Sequence, residues 1–439
     1  MNLSPSGYRA IARVAAPAAM AYLLMRSRKQ PAYRDFWGER FGWSSYPAKG
    51  SRPRVWLHAV SVGETNAAKP LAAAMLKAWP EADLLLTHMT PTGRDAGRKI
   101  VALAPERVTQ CYLPYDIPGA VAKFFRETRP ELGVVMETEI WPNLMEAAGK
   151  AGVPVVLANA RESDKSRIQA EKVIRVMRPA VRSFEAILAQ SRGDAENFRR
   201  LGAERIRIVG SLKFDIRPDA AQAEKAAAWK AAIARPVVLA ASTREGEEAE
   251  LFKAFAAVRD RFAESRALLL LVPRHPQRFA AVRKMAEEAG LRVQARSALA
   301  DASGIRPETE VLLGDSMGEM SLYCGLADLA LMGGSFLNYG CQNLIEPSAQ
   351  GVPVILGPST FNFSEAAANA EALGGAVRAK DFGEALALAL EWIGDPARLA
   401  ALSENALKFA GTYVGATRAI MNTLEKLWKK EPLGPFPTF

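Results

Sequence analysis

The chain has 439 residues, 49% of them hydrophobic and 8% aromatic, and a formal net charge of +10. That is too long for one ordinary core and enough for about two. Its three cysteines (Cys111, Cys324, Cys341) and three histidines (His58, His88, His275) stand at no ligand spacing, which argues against a disulfide framework, a zinc knuckle or a histidine-rich metal site and for a reducing compartment.

The positive charge is concentrated at the start. Residues 1–54 carry ten Lys/Arg against Asp35 and Glu39, so eight of the ten excess charges fall there. A nucleic-acid binder would distribute its charge differently, and no nucleic-acid partner is expected. Inside this basic region lies IARVAAPAAMAYLLM (11–25), interrupted by Arg13 and Pro17. It is short for a membrane span, lacks a signal-peptide cleavage site, and precedes basic residues that resist translocation. The pattern predicts that residues 1–30 form a membrane-associated helix, lying in or dipping into an anionic cytoplasmic leaflet. The plainer reading is a helix packed on the next domain.

Short apolar runs then alternate with amphipathic stretches. The runs are RVWLHAV (54–60), DLLLTH (83–88), LGVVME (132–137), VPVVLAN (153–159), AILAQ (186–190) and IRIVG (206–210). Helical patterns such as 67–79 and 193–202 lie between them. Val/Leu runs separated by helices predict a parallel sheet covered on both faces. The alternation pauses at 215–236, a polar, Ala-rich segment read as a linker containing a helix. It restarts with VVLAAS (237–242), ALLLLVP (267–273), EVLLGD (310–315), DLALMGG (328–334) and VPVILGP (352–358). The expected organisation is α/β, with two doubly wound Rossmann-like domains facing across a cleft, at 31–214 and 237–410. A final helical stretch, 411–439, is expected to cross back to the first domain. No repeat of solenoid length is present.

In such sheets, ligands meet the loops at the carboxyl ends of strands. The first run ends in VSVGE, which places Glu64 at a predicted helix start behind a glycine that allows a sharp turn. A carboxylate there either caps the helix or removes a proton from a substrate hydroxyl. METEIWPN (136–143) adds Glu137 and Glu139 after another strand, again as caps or as acids of a site. In the second half, ASTREGEE (241–248) offers Ser242, Thr243, Arg244 and helix N-terminal N–H groups to an anion. PRHP (273–276) offers Arg274 and His275. MGGSF (332–336) brings Gly334 for close backbone approach and the Ser335 hydroxyl. GCQNLIEP (340–347) supplies Gln342, Asn343 and Glu346, whose carboxylate can accept from two ribose hydroxyls. Each has a plain alternative as a turn, cap or surface ion pair. Their convergence at strand ends is what suggests a phosphorylated ligand.

Several stretches resemble, in order, those of the 3-deoxy-D-manno-octulosonic acid (Kdo) transferases: WLHAVSVGE, TPTGR, YLPYDIPG, METEIWPN, LANAR, GSLKFD, STREGEE, PRHPQRF, LGDSMGEM, ADLALMGGSF, QNLIEP and NFSEAA. The resemblance runs from about residue 33 to 370. It implies a GT-B glycosyltransferase with inverting chemistry, no metal and no resident cofactor. CMP-Kdo would be the donor substrate and a lipid A precursor (lipid IVA) the acceptor, at the cytoplasmic face of a bacterial inner membrane. It implies Glu64 as catalytic base, a functional role for the Glu137/Glu139 motif with Glu139 the favoured of the two, and donor contacts in the loops above, including Gly318 of LGDSMGEM. Many members have histidine where Arg244 and Ser359 stand, and GGHNP where this chain has GCQNL. Another sugar-nucleotide enzyme of the same architecture, or a catalytically silent nucleotide-binding protein at the membrane, is the alternative; the intact SVGE speaks against the silent form.

Overall fold

The computed structural model describes residues 3–215, 220–413 and 415–437. They form two compact units, Met1–Asp215 with Gly415–Phe439, and Ile216–Val414. Each is built on a seven-stranded parallel sheet.

In the first unit the strands are β1 (Arg54–His58), β2 (Asp83–His88), β3 (Val108–Tyr112), β4 (Leu132–Met136), β5 (Val155–Ala160), β6 (Ala186–Ala189) and β7 (Ile206–Ile208), in the order β3-β2-β1-β4-β5-β6-β7. In the second they are β8 (Val237–Thr243), β9 (Leu268–Pro273), β10 (Val293–Ala295), β11 (Val311–Leu313), β12 (Leu329–Met332), β13 (Val354–Leu356) and β14 (Ala376–Arg378), in the order β10-β11-β9-β8-β12-β13-β14. All eleven predicted runs become strands. The three that the sequence reading missed, β3, β10 and β14, are edge strands. An edge has one neighbour and needs less apolar surface, so VTQCY can carry an exposed Thr109 without losing its place.

The chain order reverses beside β1 in the first sheet and beside β8 in the second. Connections run from β1 to β2 on one side and return to β4 on the other; β8 lies likewise between β9 and β12. His58 at the end of β1 is in register with Thr87 of β2 and Val135 of β4. The loops leaving β1 and β4 therefore separate to opposite faces and leave a crevice between them.

The helices that position the site and its surroundings are α1 (Pro5–Val14), α2 (Ala16–Ser27), α3 (Val62–Ala78), α4 (Pro142–Lys150), α5 (Ala220–Ile233), α6 (Glu247–Glu264), α7 (Pro396–Gly411) and α8 (Ala416–Trp428). The apolar stretch 11–25 is divided between α1 and α2 at Ala15, with Pro17 in the first turn of α2. No described helix is long and apolar enough to cross a membrane. Helix α1 buries none of its residues. It is held by Tyr8 Oη donating to Asp116 Oδ2 at 2.9 Å and by an Arg9–Glu146 ion pair at 2.7 Å. Val14 is 79% exposed and Met25 of α2 58%.

Helix α5, in the segment read as a linker, belongs to the second unit, where Ala226 and Trp229 are buried. Within the final stretch 411–439, Gly415, at φ 114°, caps α8, which lies in the first unit, whereas α7, ending at Gly411, lies in the second. Ala416, Ile420 and Leu424 of α8 join Leu71 and Met75 of α3 in the core over one face of the sheet, and Trp428 stacks on Trp79 at 4.9 Å. Asp215 caps α8, accepting from Gly415 N at 2.8 Å and from Thr417 N.

Candidate active site

Helix α3 begins at Ser61, whose extended backbone and hydroxyl make it the N-cap; Oγ accepts from Glu64 N at 3.4 Å. Glu64 is the third helical residue, and its carboxylate turns back toward the strand. Oε2 accepts from Val60 N at 2.8 Å and Oε1 from the Ser61 hydroxyl at 3.2 Å. This is a capping box displaced by one residue. The cap and the acid are thus one arrangement, and the cap fixes the rotamer. Gly63 does not make the turn: it is helical, and an added Cβ would meet only Ser61 Oγ, at 3.9 Å. Its effect is to leave the surface next to Glu64 clear.

The surroundings raise the Glu64 carboxyl to about 7. Burial is the largest cause; the Val60 N–H opposes it, and the neighbouring Glu139 and Glu137 carboxylates push it further up. The turn is braced from below. His88 Nδ1 lies 2.9 Å from Ala59 O, and Thr90 Oγ1 donates to Val60 O at 3.0 Å. Both buried histidines are held neutral by burial, His58 pushed down to about 3 and His88 to about 4.

Across the crevice, at the end of β4, Glu137 takes a left-handed φ of 56°. Its Oε1 accepts from Asn159 Nδ2 at 3.3 Å and lies 3.5 Å from Lys213 Nζ. Glu139 accepts from Trp141 Nε1 at 2.6 Å, and burial raises its carboxyl above the ordinary range. Three carboxylates therefore gather where the chain order reverses. Left-handed non-glycine residues at such a strand end store strain, which is tolerated where a side chain must be aimed.

In the second unit the predicted loops are brought together at the ends of β8 and β12. Their organiser is Glu247, which the sequence reading passed over. Fully buried in the first turn of α6, it accepts from Arg244 N at 2.7 Å, Gly334 N at 2.7 Å, Phe336 N at 3.1 Å and Leu337 N at 3.4 Å. The backbone donors expected to meet a phosphate here are thus partly occupied by the protein's own carboxylate. Gly333 is required for a different contact: its Cβ would lie 2.4 Å from Ser242 O. Ser242 is itself left-handed, at φ 55°.

Two predicted hydroxyl ligands are committed elsewhere. Thr243 Oγ1 donates to buried Glu248 at 2.7 Å, and Arg278 grips the same carboxylate with two bonds of 2.8 and 2.7 Å. Ser335 is fully buried; its hydroxyl donates to Met332 O and accepts from Gly357 N at 2.7 Å. Asn343 Oδ1 caps the next helical turn through Ile345 N at 3.1 Å. Ser359 Oγ accepts from Gly340 N at 3.2 Å, which gives it a structural place.

Other predicted groups remain available. The Arg244 guanidinium lies over the Tyr339 ring at 4.8 Å, and Arg274 and His275 are exposed. Gln342 is half-buried, its N–H tied to Gly333 O at 3.1 Å. Burial raises the Glu346 carboxyl, and the positive charge of Arg274 opposes the rise. Gly318 is left-handed with open space around it, and its carbonyl accepts from Gln222 Nε2 at 2.9 Å. Glu247 and Glu248 left a faint signal, two adjacent acids in the first turn of a helix. Asn159 and Lys213 left none that spacing rules read.

Residues 35–216 match the sequence profile of a family described as 3-Deoxy-D-manno-octulosonic-acid transferase (kdotransferase). The chain is 42% identical to a 3-deoxy-D-manno-octulosonic acid transferase of Bordetella pertussis, over 95% of this chain and 98% of that one. It is 33% identical to its counterpart in Haemophilus influenzae, over 82% and 83%. The fold is similar to a UDP-GlcNAc 2-epimerase of Neisseria meningitidis (TM-score 0.56, 14% identity, 85% of this chain and 100% of that one). It is also similar to a glycosyltransferase of Rickettsia africae (TM-score 0.55, 10% identity, 87% and 100%). The two parallel-sheet units have the GT-B architecture.

Proposed function

The chain belongs to the 3-deoxy-D-manno-octulosonic acid transferase family and is a glycosyltransferase acting in lipopolysaccharide biosynthesis; from that premise we propose that it carries Kdo from CMP-Kdo to a lipid A precursor, with Glu64 as general base. The observation that carries this reading is the Glu64 carboxyl, fixed by Val60 N and Ser61 Oγ and raised to about 7. A base works best when its affinity for the proton lies near the working pH.

In one step, the acceptor hydroxyl oxygen bonds to the ketosidic carbon of Kdo and gives its proton to Glu64. The bond from that carbon to the CMP phosphate oxygen breaks, and its electron pair leaves with CMP. Attack opposite the departing phosphate inverts the centre and needs no covalent intermediate. The negative charge on CMP is met by side chains, Arg274 with Arg244 and His275, since Glu247 already holds Gly334 N. Glu346 and Gln342 orient the nucleoside. Glu137 and Glu139 keep the proton affinity of Glu64 high.

The acceptor is lipid-bound, which gives the lopsided charge a purpose. We place the protein at the cytoplasmic face of the inner membrane, docked by α1 and α2. Exposed Val14 and Met25 and the basic residues beside them favour an anionic lipid surface.

The test is Glu64→Gln in the full chain, assayed by mass spectrometry with CMP-Kdo and tetraacylated lipid A precursor. Transfer should fall by roughly two to four orders of magnitude with CMP affinity retained. Undiminished transfer by a folded variant overturns the assignment.

A further inference from the structure

Asn159 occupies a junction that the proposed mechanism does not use. It is fully buried at the end of β5, with a left-handed φ of 51°. The pairing of β5 with β6 shifts register between Leu157 and Ala160, around this residue. Such an irregularity re-aims one side chain out of the pleat. Every polar group of Asn159 that is re-aimed finds a partner. Nδ2 donates to Glu137 Oε1 at 3.3 Å, Oδ1 accepts from Leu212 N at 2.9 Å, and its carbonyl accepts from Gln190 Nε2 at 2.9 Å. Leu212 opens the short turn Leu212–Phe214 that carries Lys213, whose Nζ lies 3.5 Å from the same Glu137 oxygen. One amide thus ties an acid of the crevice to the segment that leads out of the first unit at Asp215.

We propose that Asn159 is a positioning residue for the acid cluster: its amide, with Lys213, fixes the Glu137 carboxylate and balances its charge, and the same amide sets the place of the 212–214 turn. The inference rests on Glu64 being the base. Among the described residues, the charged groups that reach the cluster are Glu64 after β1, Glu139 on the loop of Glu137, and Lys213 after β7. Glu162, three residues beyond Asn159, interacts instead with Arg167, Ser166 and Asp194. Glu137 and Glu139 already raise the Glu64 carboxyl. Any further negative charge beside Glu137, or loss of the Lys213 cation, must raise it more.

The experiment is the pH profile of kcat/KM for the full chain, from about pH 5.5 to 9, with CMP-Kdo and tetraacylated lipid A precursor. Asn159→Asp tolerates the left-handed backbone and keeps the acceptor for Leu212 N, but it puts a carboxylate against Glu137. Its acid limb should move upward by about one pH unit. Lys213→Met, at a half-exposed position, should move the limb in the same direction by less. A fall in kcat in both folded variants with the limb unmoved would show a merely structural role and overturn the inference. If Asn159→Asp does not fold, Lys213→Met decides alone: an unmoved limb overturns it. Glu64→Gln, run alongside, separates the two readings. An inactive Glu64→Gln with unmoved limbs removes only the Asn159 inference, whereas a fully active one removes the base assignment beneath it.

Discussion

The Glu64 carboxyl has a consequence for stability as well as for catalysis. Its proton affinity rises on folding, from 4.5 to about 7. Between those values the native state holds a proton that the unfolded chain has lost, so stability falls as pH rises through the window. Above about pH 7 the whole cost of the buried charge is present; below 4.5 both states are protonated and the cost vanishes. Glu64→Gln should therefore melt a few degrees above the parent at pH 8 and together with it at pH 4, a comparison that differential scanning fluorimetry makes directly. Equal melting at both values would show that the carboxyl is not raised. Glu64 itself was legible in the sequence: a serine three residues ahead, at the end of an apolar run, marks a helix start with an acid in its first turn. Which way hydroxyls point was not legible. Ser335 and Thr243 stand at the expected strand ends, yet both face inward to Gly357 N and Glu248. Asn159 was invisible for a stronger reason, since its role depends on a left-handed backbone and a register shift that no periodicity encodes.

At the level of elements, strands were legible wherever they lie inside a sheet, because burial on both faces demands an unbroken apolar run. VTQCY fell short since β3 is an edge. The loops of the second unit were legible as a set but not as a construction. Four segments, 242–247, 333–337, 340–342 and 357–359, are stitched together by Glu247, Ser335 and Ser359. A buried carboxylate that accepts four N–H groups is irreplaceable by an apolar group, which would leave those donors without partners. Glu247→Ala should cost at least about 2–3 kcal/mol of stability. It should also weaken CMP binding measured by calorimetry, although we assign Glu247 no contact with the ligand. Unchanged CMP affinity in a folded Glu247→Ala protein would mean that the loop assembly does not shape the donor site.

For the whole molecule, the proposed reaction draws on both units: the acid crevice and the basic N-terminal helices lie in the first, and the loops proposed to hold the donor lie in the second. Removing residues 1–30 deletes five of the basic residues, Arg9, Arg13, Arg26, Arg28 and Lys29. At about 1 kcal/mol per well-placed cation, binding to phosphatidylglycerol vesicles should drop by about tenfold or more. CMP affinity should stay as it was, because the donor loops are untouched. Co-sedimentation at low and raised salt checks this, and equal vesicle binding by the truncated protein would refute membrane docking through α1 and α2.

The return of α8 also dictates an order of assembly. Ile420 and Leu424 belong to the first unit's core, yet a ribosome makes them only after every residue of the second unit. The inserted unit is contiguous and has all its strands in hand while the enclosing one still waits for its last helix. What is begun first on the ribosome is therefore sealed last.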